Sequence, residues 1–291
     1  MNPGLKNILI YLRIYYPLQG AYQNFRFQQR LKKYRKEYGA YLLSEESYHH
    51  SGYGFRCDVC NSLYTKFVPD LPSAEDKEAL EKNNVIAGYG ENILCPNCGS
   101  AARERLVLNL LKHDIEFAGK KILHLSPEKN IYHFIKDEAE VTTADLLPGF
   151  YRTIDGLVQK QDATNFTFAD ESFDMVIGNH ILEHIPDDAK AMKEIYRVLK
   201  PGGKAILQVP YSESIPATFE TKDINDPALQ SKLYGQKDHV RIYAFNDYVE
   251  RLRSAGFIVE IIHAKDIADF AGYAAVQPGE HFLNITKPAI S

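Results

Sequence analysis

Cys57-Asp-Val-Cys60 and Cys95-Pro-Asn-Cys98-Gly99 use every cysteine in the chain. Two such pairs can supply four thiolates to one tetrahedral zinc, because each short turn presents two sulfurs to the same metal. Gly99 relieves the crowding that arises as backbone amides turn toward the sulfurs. The gap from Cys60 to Cys95 is longer than the commonest zinc spacing. A hairpin over residues 63–68 and an exposed acidic piece over residues 73–82 would fill it. Disulfides or separate buried thiols are the competing reading. No secretion signal is evident, and disulfides are rare in a reducing cytosol. Four thiolates leave no open coordination position, so the expected zinc holds a small ribbon together and does no chemistry. His49 and His50, close to Cys57, could add a ligand, but four sulfurs suffice.

A second group of reactive side chains lies in the C-terminal half. His180, Glu183 and His184 follow a short apolar run, and His239 and Arg241 belong to the turn Asp238-His239-Val240-Arg241. His239 has the intrinsic pKa range of a general base, and Arg241 could clamp an anionic substrate group. Their plainer reading is a surface Asp238–Arg241 pair with a capping His. For His184 the favoured reading is a structural hydrogen bond within its own turn.

The elements that must position these groups are legible around residues 161–210. Residues 173–177 form a short apolar run entered from a turn-rich Asp-Glu-Ser. Asp187 opens a helical pattern whose buried face is Met192, Ile195, Tyr196 and Leu199, and Pro201-Gly202-Gly203 is expected to stop it. Residues 205–209 are a second buried-strand run. Strand, helix, strand at this spacing predicts a right-handed parallel crossover in an open α/β sheet.

The run ESFDMVIGNHILEHIPDDAKAMKEIYRVLKPGG resembles class I S-adenosylmethionine-dependent methyltransferases, of the type 11-like kind. The likeness extends more loosely over residues 120–288. It implies a Rossmann-like, doubly wound seven-stranded sheet: first strand 120–125, second 141–145, third near 156–160, and two final antiparallel strands, 257–262 and 281–285. It implies S-adenosylmethionine as cofactor. The loop after the first strand, Leu125-Ser126-Pro127-Glu128, would meet the donor, although it lacks the glycines usual in the family. His124 stands where an acidic residue is frequent, and Glu128 could take over the cofactor's ammonium or serve the following helix N-terminus. Asp145, with Leu146 after it, would hold the ribose hydroxyls; the alternative is an Asp capping the next turn. Asp162 and Ala163 would meet the adenine, and Asn179 and His180 would face the methyl group. His180 and His239 are the base candidates. Methyl transfer from a sulfonium is an in-line displacement that needs alignment first, and a base only if the nucleophile carries a proton.

The layout of two knuckles, Arg103-Glu104-Arg105, HLSPE and DHVR is similar to a bacterial or archaeal group of methyltransferases with N-terminal zinc knuckles. It implies three parts: an arm at 1–50, a zinc-ribbon-like domain at 51–102 and a methyltransferase domain at 103–291. Residues 211–240 read as a long polar binding loop, and Asn246 as the cap of a helix closed by Gly256.

Net charge is −4, yet residues 1–36 carry eight basic side chains and no acidic one. Such an arm could grip RNA, lie on an anionic membrane, or pack on the ribbon or a partner subunit with its charges solvated; the last is favoured. No apolar run reaches the roughly 20 residues of a membrane span. The expectation is a cytoplasmic enzyme acting on a small molecule, with sugar and lipid-linked compounds as the candidates. An RNA methyltransferase using ribbon and arm, or a non-catalytic module with the same fold, are the alternatives.

Overall fold

The computed structural model describes residues 3–11, 14–86, 88–221, 224–267, 272, 274–277 and 279–289. Arg13, counted above with the basic arm, lies outside them. The N-terminal third contains α1 (Pro3–Tyr11), α2 (Tyr15–Tyr38), α3 (Glu45–Ser51), β1 (Phe55–Arg56), β2 (Leu63–Tyr64), β3 (Val68–Asp70), α4 (Ala74–Lys82), β4 (Gly90–Leu94) and α5 (Ala102–His113). The rest runs through β5 (Lys121–Leu125), α6 (Lys129–Ile135), β6 (Glu140–Asp145), β7 (Gln159–Lys160), β8 (Phe173–Ile177), α7 (Asp188–Val198) and β9 (Leu199–Ile206). It ends with β10 (Tyr211–Ser212), β11 (Phe219–Glu220), α8 (Pro227–Tyr234), β12 (Arg241–Ala244), α9 (Phe245–Ser254), β13 (Ile258–Ile262) and β14 (Phe282–Thr286).

The main sheet is seven-stranded, in the order β13-β14-β9-β8-β5-β6-β7. Its first five strands in the chain pair in parallel, and β14 runs antiparallel to both β9 and β13. This is the mixed α/β sheet expected. β5 lies between β6 and β8, so chain direction reverses there and a crevice opens at the carboxyl ends. Apolar side chains fill both faces: Leu123, Val176, Met192, Ile195 and Leu252 on one, and Ile122, Ile177, Leu106 and Ile131 on the other.

The crossover helix α7 starts where expected, with Asp187 accepting from Lys190 N. It stops earlier than Pro201 suggested. Leu199 is already extended and pairs with Phe173, so Pro201–Gly203 sit inside β9, whose register shifts against β8. α9 likewise begins at Phe245 without a side-chain cap, so Asn246 lies in its first turn rather than at its cap.

Two further expectations change. Residues 63–68 are no hairpin: β2 pairs back to β1, and β3 pairs forward to β4. The acidic piece is helix α4, capped by Ser73 and burying Ala79 and Leu80 against α8. Gly235, the left-handed residue closing α8, leaves room for Leu80; a Cβ there would meet the Leu80 side chain at 2.5 Å.

The expected long loop of residues 211–240 is mostly built structure. β10 pairs in parallel with β12, and β11 pairs antiparallel with β12 on its other edge. The arm packs on its own protein. Leu31 is buried, with Phe27 and Leu31 seated over Gly99, while Gly20 meets the carbonyl of Phe150. Among the described residues, no helix is long and apolar enough to cross a membrane.

Candidate active site

The four cysteines converge. Cys57 Sγ lies 3.6 Å from Cys98 Sγ, and Cys60 Sγ lies 3.7 Å from Cys95 Sγ. A zinc–sulfur bond of about 2.3 Å in a tetrahedron puts sulfurs about 3.8 Å apart, so the spacing fits one such ion. The sulfurs are not joined as disulfides. The two knuckles repeat one geometry: Asn61 N and Gly99 N donate to the Cys57 and Cys95 carbonyls, and Cys57 N and Cys95 N donate to Ser62 O and Ser100 O. Both Asn61 and Gly99 take positive φ, as a tight turn around sulfur requires. Fully buried Arg105 donates to the carbonyls of Ile93, Ser100, Ala274 and Ala275, so one guanidinium ties the cysteine-bearing segment to the stretch between β13 and β14. His49 and His50 are exposed on α3 and lie outside the sulfur cluster.

At the carboxyl ends of β5, β6 and β8 the residues singled out from sequence meet. Ser126 has φ +46°, so it takes the left-handed turn that a glycine would otherwise supply. Its hydroxyl donates to Asp145 Oδ2 at 2.6 Å, and Leu147 N donates to Asp145 Oδ1 at 2.6 Å. Asp145 thus organises its own loop, and burial raises its pKa despite these donors. Tyr151 lies against the same pair through a hydrogen bond to Ser126, and burial pushes its phenol up to about 12. Leu146 is left 56% exposed at the strand end. Gln161 N donates to Asp145 O, which brings Asp162 and Ala163 to this edge. Asp162 Oδ1 accepts from Thr164 N and Oγ1, and these bonds hold its pKa down.

Glu128 is committed differently from expectation. Its Oε1 accepts from Arg103 Nε at 2.8 Å and its Oε2 from Asn179 Nδ2 at 2.8 Å. Both oxygens thus already accept from protein donors. Its side chain does not cap α6. Burial opposes the Arg103 charge, but Glu128 holds that guanidinium above its usual pKa. Buried His124 accepts from Glu128 N through Nε2 and so fixes the loop.

Beyond Asn179 a cleft of about 190 Å³ opens between the two halves of the chain. His180, Glu183, His184, Pro210, Gln236 and His239 form one side, and Asp70, Gly88, Tyr89 and Arg103 the other. His180 reaches it through a left-handed backbone, φ +54°. Burial lowers the pKa of both His180 and His239, the latter to about 3. His184 N donates to Ile181 O within its own turn, and its ring Nδ1 meets Asp238 O at 3.1 Å.

Arg241 is absent from the cleft. It is 3% exposed, and its guanidinium is used up by Glu220 and the carbonyls of Leu182, Ile185 and Pro186. Strand β12 turns it inward, where it braces the fold and borders a separate cavity lined by Pro186, Asp188 and Glu220. Arg103, Tyr89 and Tyr151 escaped the sequence reading as site residues. Arg103 does adjoin Glu104, which caps α5 and holds Asn130 in the first turn of α6, but nothing local marks Tyr89.

Residues 127–207 match a family model described as a methyltransferase domain. This segment carries Glu128, Asp145, Asp162, Asn179 and the cleft-lining His180, Glu183 and His184. The chain is also similar to the Escherichia coli protein YafE, 31% identical over 39% of this chain and 52% of that one. It is 30% identical to phosphoethanolamine N-methyltransferase 2 of Caenorhabditis elegans over 40% of this chain and 21% of that one. The chain thus spans about half of one curated relative and about a fifth of the other. A solved S-adenosylmethionine-dependent methyltransferase from Mesorhizobium loti superposes with a TM-score of 0.44 at 14% identity, covering 64% of this chain and 98% of that chain. The methyltransferase segment ends at Leu207, so the ribbon, the arm and the second wall of the cleft lie outside the match.

Proposed function

We propose that the protein is an S-adenosylmethionine-dependent methyltransferase acting on a small molecule held between its two halves. One observation carries this reading: Ser126, Asp145 and Asn179 gather at the carboxyl ends of β5, β6 and β8, beside the switch point, within a segment matching a methyltransferase domain. Asp145 would receive the ribose, and exposed Leu146 would offer the adenine an apolar surface beside Asp162 and Ala163. Turned as it is by Ser126, the loop would present backbone amides to the donor's amino-acid end. The sulfonium would deliver its methyl group toward His180, where the cleft begins.

The chain's own part in such a transfer is alignment and exclusion of water. The cleft walls hold an acceptor in line with the carbon–sulfur bond, and the small volume favours a compact molecule over a folded nucleic acid. Arg30 of α2 pairs with Asp70 of the cleft wall at 3.2 Å, and Phe27 and Leu31 seat on Gly99, which supports a packing role for the arm. The four cysteines would carry a structural zinc ion.

Calorimetry with S-adenosylmethionine tests the reading. Micromolar binding is expected, weakened at least about tenfold in Asp145→Ala, since that change removes charged hydrogen bonds of about 1.5–3 kcal/mol. Absence of binding at millimolar donor would leave a non-catalytic module of the same fold.

A further inference from the structure

Glu183 is the least satisfied charged group in the cleft. It is 1% exposed, and its Oε2 has no hydrogen-bond partner. Its Oε1 faces two imidazoles, His180 Nδ1 at 3.5 Å and His184 Nε2 at 3.9 Å. Burial raises its pKa against the opposing pull of His184 and Arg103. A buried carboxylate oxygen without a partner costs several kcal/mol unless something absent from the protein chain supplies a donor or a cation.

The surrounding donors suit a cation. One ligand atom each from Glu183, His184 and His239 lies within 4.8 Å of the others. His184 uses Nδ1 at the Asp238 carbonyl, which leaves the Nε2 lone pair directed at Glu183. His239 has its own hydrogen bond to the backbone of Tyr234. Tying one ring nitrogen to a carbonyl fixes the tautomer and frees the other nitrogen for a metal. The two segments are locked in register: Val240 N donates to Glu183 O at 2.9 Å, which sets His239 beside the Glu183 turn. His184 and His239 rings also pack edge to face with centroids 4.7 Å apart.

We propose that Glu183, His184 and His239 bind a divalent transition-metal cation at the floor of the cleft, and that the cation engages a hydroxyl of the acceptor. Two imidazoles and one carboxylate suit manganese, iron, cobalt or zinc better than magnesium or calcium. Three protein ligands leave coordination positions open toward the cleft, as a catalytic rather than a structural site requires. The second half of the proposal rests on the methyltransferase reading. Bound to the cation, the acceptor hydroxyl loses its proton to solvent more readily. Its oxygen then forms the bond to the methyl carbon as the carbon–sulfur bond breaks, and that electron pair returns to sulfur as a neutral thioether. The charges at the rim accommodate this: Arg103 is paired with Glu128 and Asp70 with Arg30, while Asp238 adds negative charge beside His184.

The test uses the full chain with its cysteine cluster loaded with zinc, titrated with Mn²⁺ and followed by electron paramagnetic resonance. Thiolates hold Mn²⁺ poorly, so the cysteine cluster does not compete. The expected result is one Mn²⁺ per chain, bound at least tenfold more weakly in Glu183→Gln and in His184→Ala, with donor binding and circular dichroism retained. His184 is partly exposed, so His184→Ala carries the test should the buried Glu183 variant fail to fold. No Mn²⁺ bound at millimolar concentration, or binding unaltered by His184→Ala, overturns the site. Donor binding without Mn²⁺ binding sinks the cation and spares the methyltransferase reading; Mn²⁺ binding without donor binding does the reverse.

Discussion

His124 shows how much a single buried side chain decides at this site. It stands at the end of β5, 0% exposed, and accepts from Glu128 N. Because Nε2 is the acceptor, Nδ1 carries the proton of a neutral ring, and that Nδ1 has no partner. Burial pushes its pKa down to about 3 from 6.5. The sign follows from linkage: between these values the unfolded chain binds a proton that the native chain refuses. The contribution is complete above pH 6.5 and is lost progressively as pH falls toward 3. At pH 5 the loss from this group amounts to about 2 kcal/mol. Urea melts at pH 7.5 and pH 5 should therefore show His124→Gln losing about 2 kcal/mol less than the parent on acidification. Equal losses would mean that His124 is not held neutral. At this scale the sequence exposes residue type and place in the chain but not partnership. Asp145 and Asp162 are legible as strand-end acids, and both lie at the sheet's carboxyl edge. That Ser126 replaces a glycine by turning left-handed, or that Arg103 claims Glu128, depends on contacts between segments far apart in the chain.

Among the elements, β12 reads least well from its own sequence. The Asp-His-Val-Arg turn leads into it, and residues two apart share a face only within a strand, whereas His239 lies in the turn before β12 begins at Arg241. His239 faces the cleft, whereas Arg241 is buried in an ionic network. There Glu220 bridges Arg241 and Arg251, and Asp188 meets Arg251 Nη1 at 2.9 Å and the Tyr243 hydroxyl at 2.7 Å. Removing one member of a buried network leaves charges and carbonyls without partners, at a cost of about 3–5 kcal/mol. Arg241→Ala should lower the urea midpoint accordingly, while donor affinity in the folded fraction stays within about twofold, a small change beside the tenfold of 1.4 kcal/mol. A stable variant that had lost only acceptor binding would restore the clamp. The crossover of β8, α7 and β9 was legible because its periodicity is local and strong. β10 and β11 were not, because each is two residues long and exists only by pairing with β12. No periodic signal accompanies a strand of that length, so the segment looked like a loop.

The whole molecule is organised so that the part outside the methyltransferase match completes the cleft. Asp70, Gly88 and Tyr89 come from that part, and the chain linking α4 to β4 is docked by a bridge between Ile86 and Tyr211 and by the Tyr89 hydroxyl on Gln236. The arm clamps the assembly from outside: α2 covers Gly99 with Phe27 and Leu31, and its other end packs Tyr16 on Phe150, next to Tyr151 of the donor-side loop. These contacts converge on the cysteine cluster, since Gly99 closes one knuckle and Arg105 binds its backbone to the carbonyls of Ala274 and Ala275. If one zinc ion holds that cluster, a mercurial that consumes four thiols should release one zinc per chain. Its loss should loosen both ends of the clamp. Trypsin, which cuts after the exposed Arg30, Lys32, Lys33, Arg35 and Lys36, should then cleave α2 at least about tenfold faster, because protease sensitivity follows local opening. Acceptor binding should fall more than donor binding, because the cysteine-bearing half walls the cleft while the residues proposed to hold the donor sit at the ends of β5, β6 and β8. A protein that yields no zinc, or an arm that stays equally resistant to trypsin after zinc release, would separate the cysteine cluster from the cleft. The basic arm would then need another reason to lie where it does.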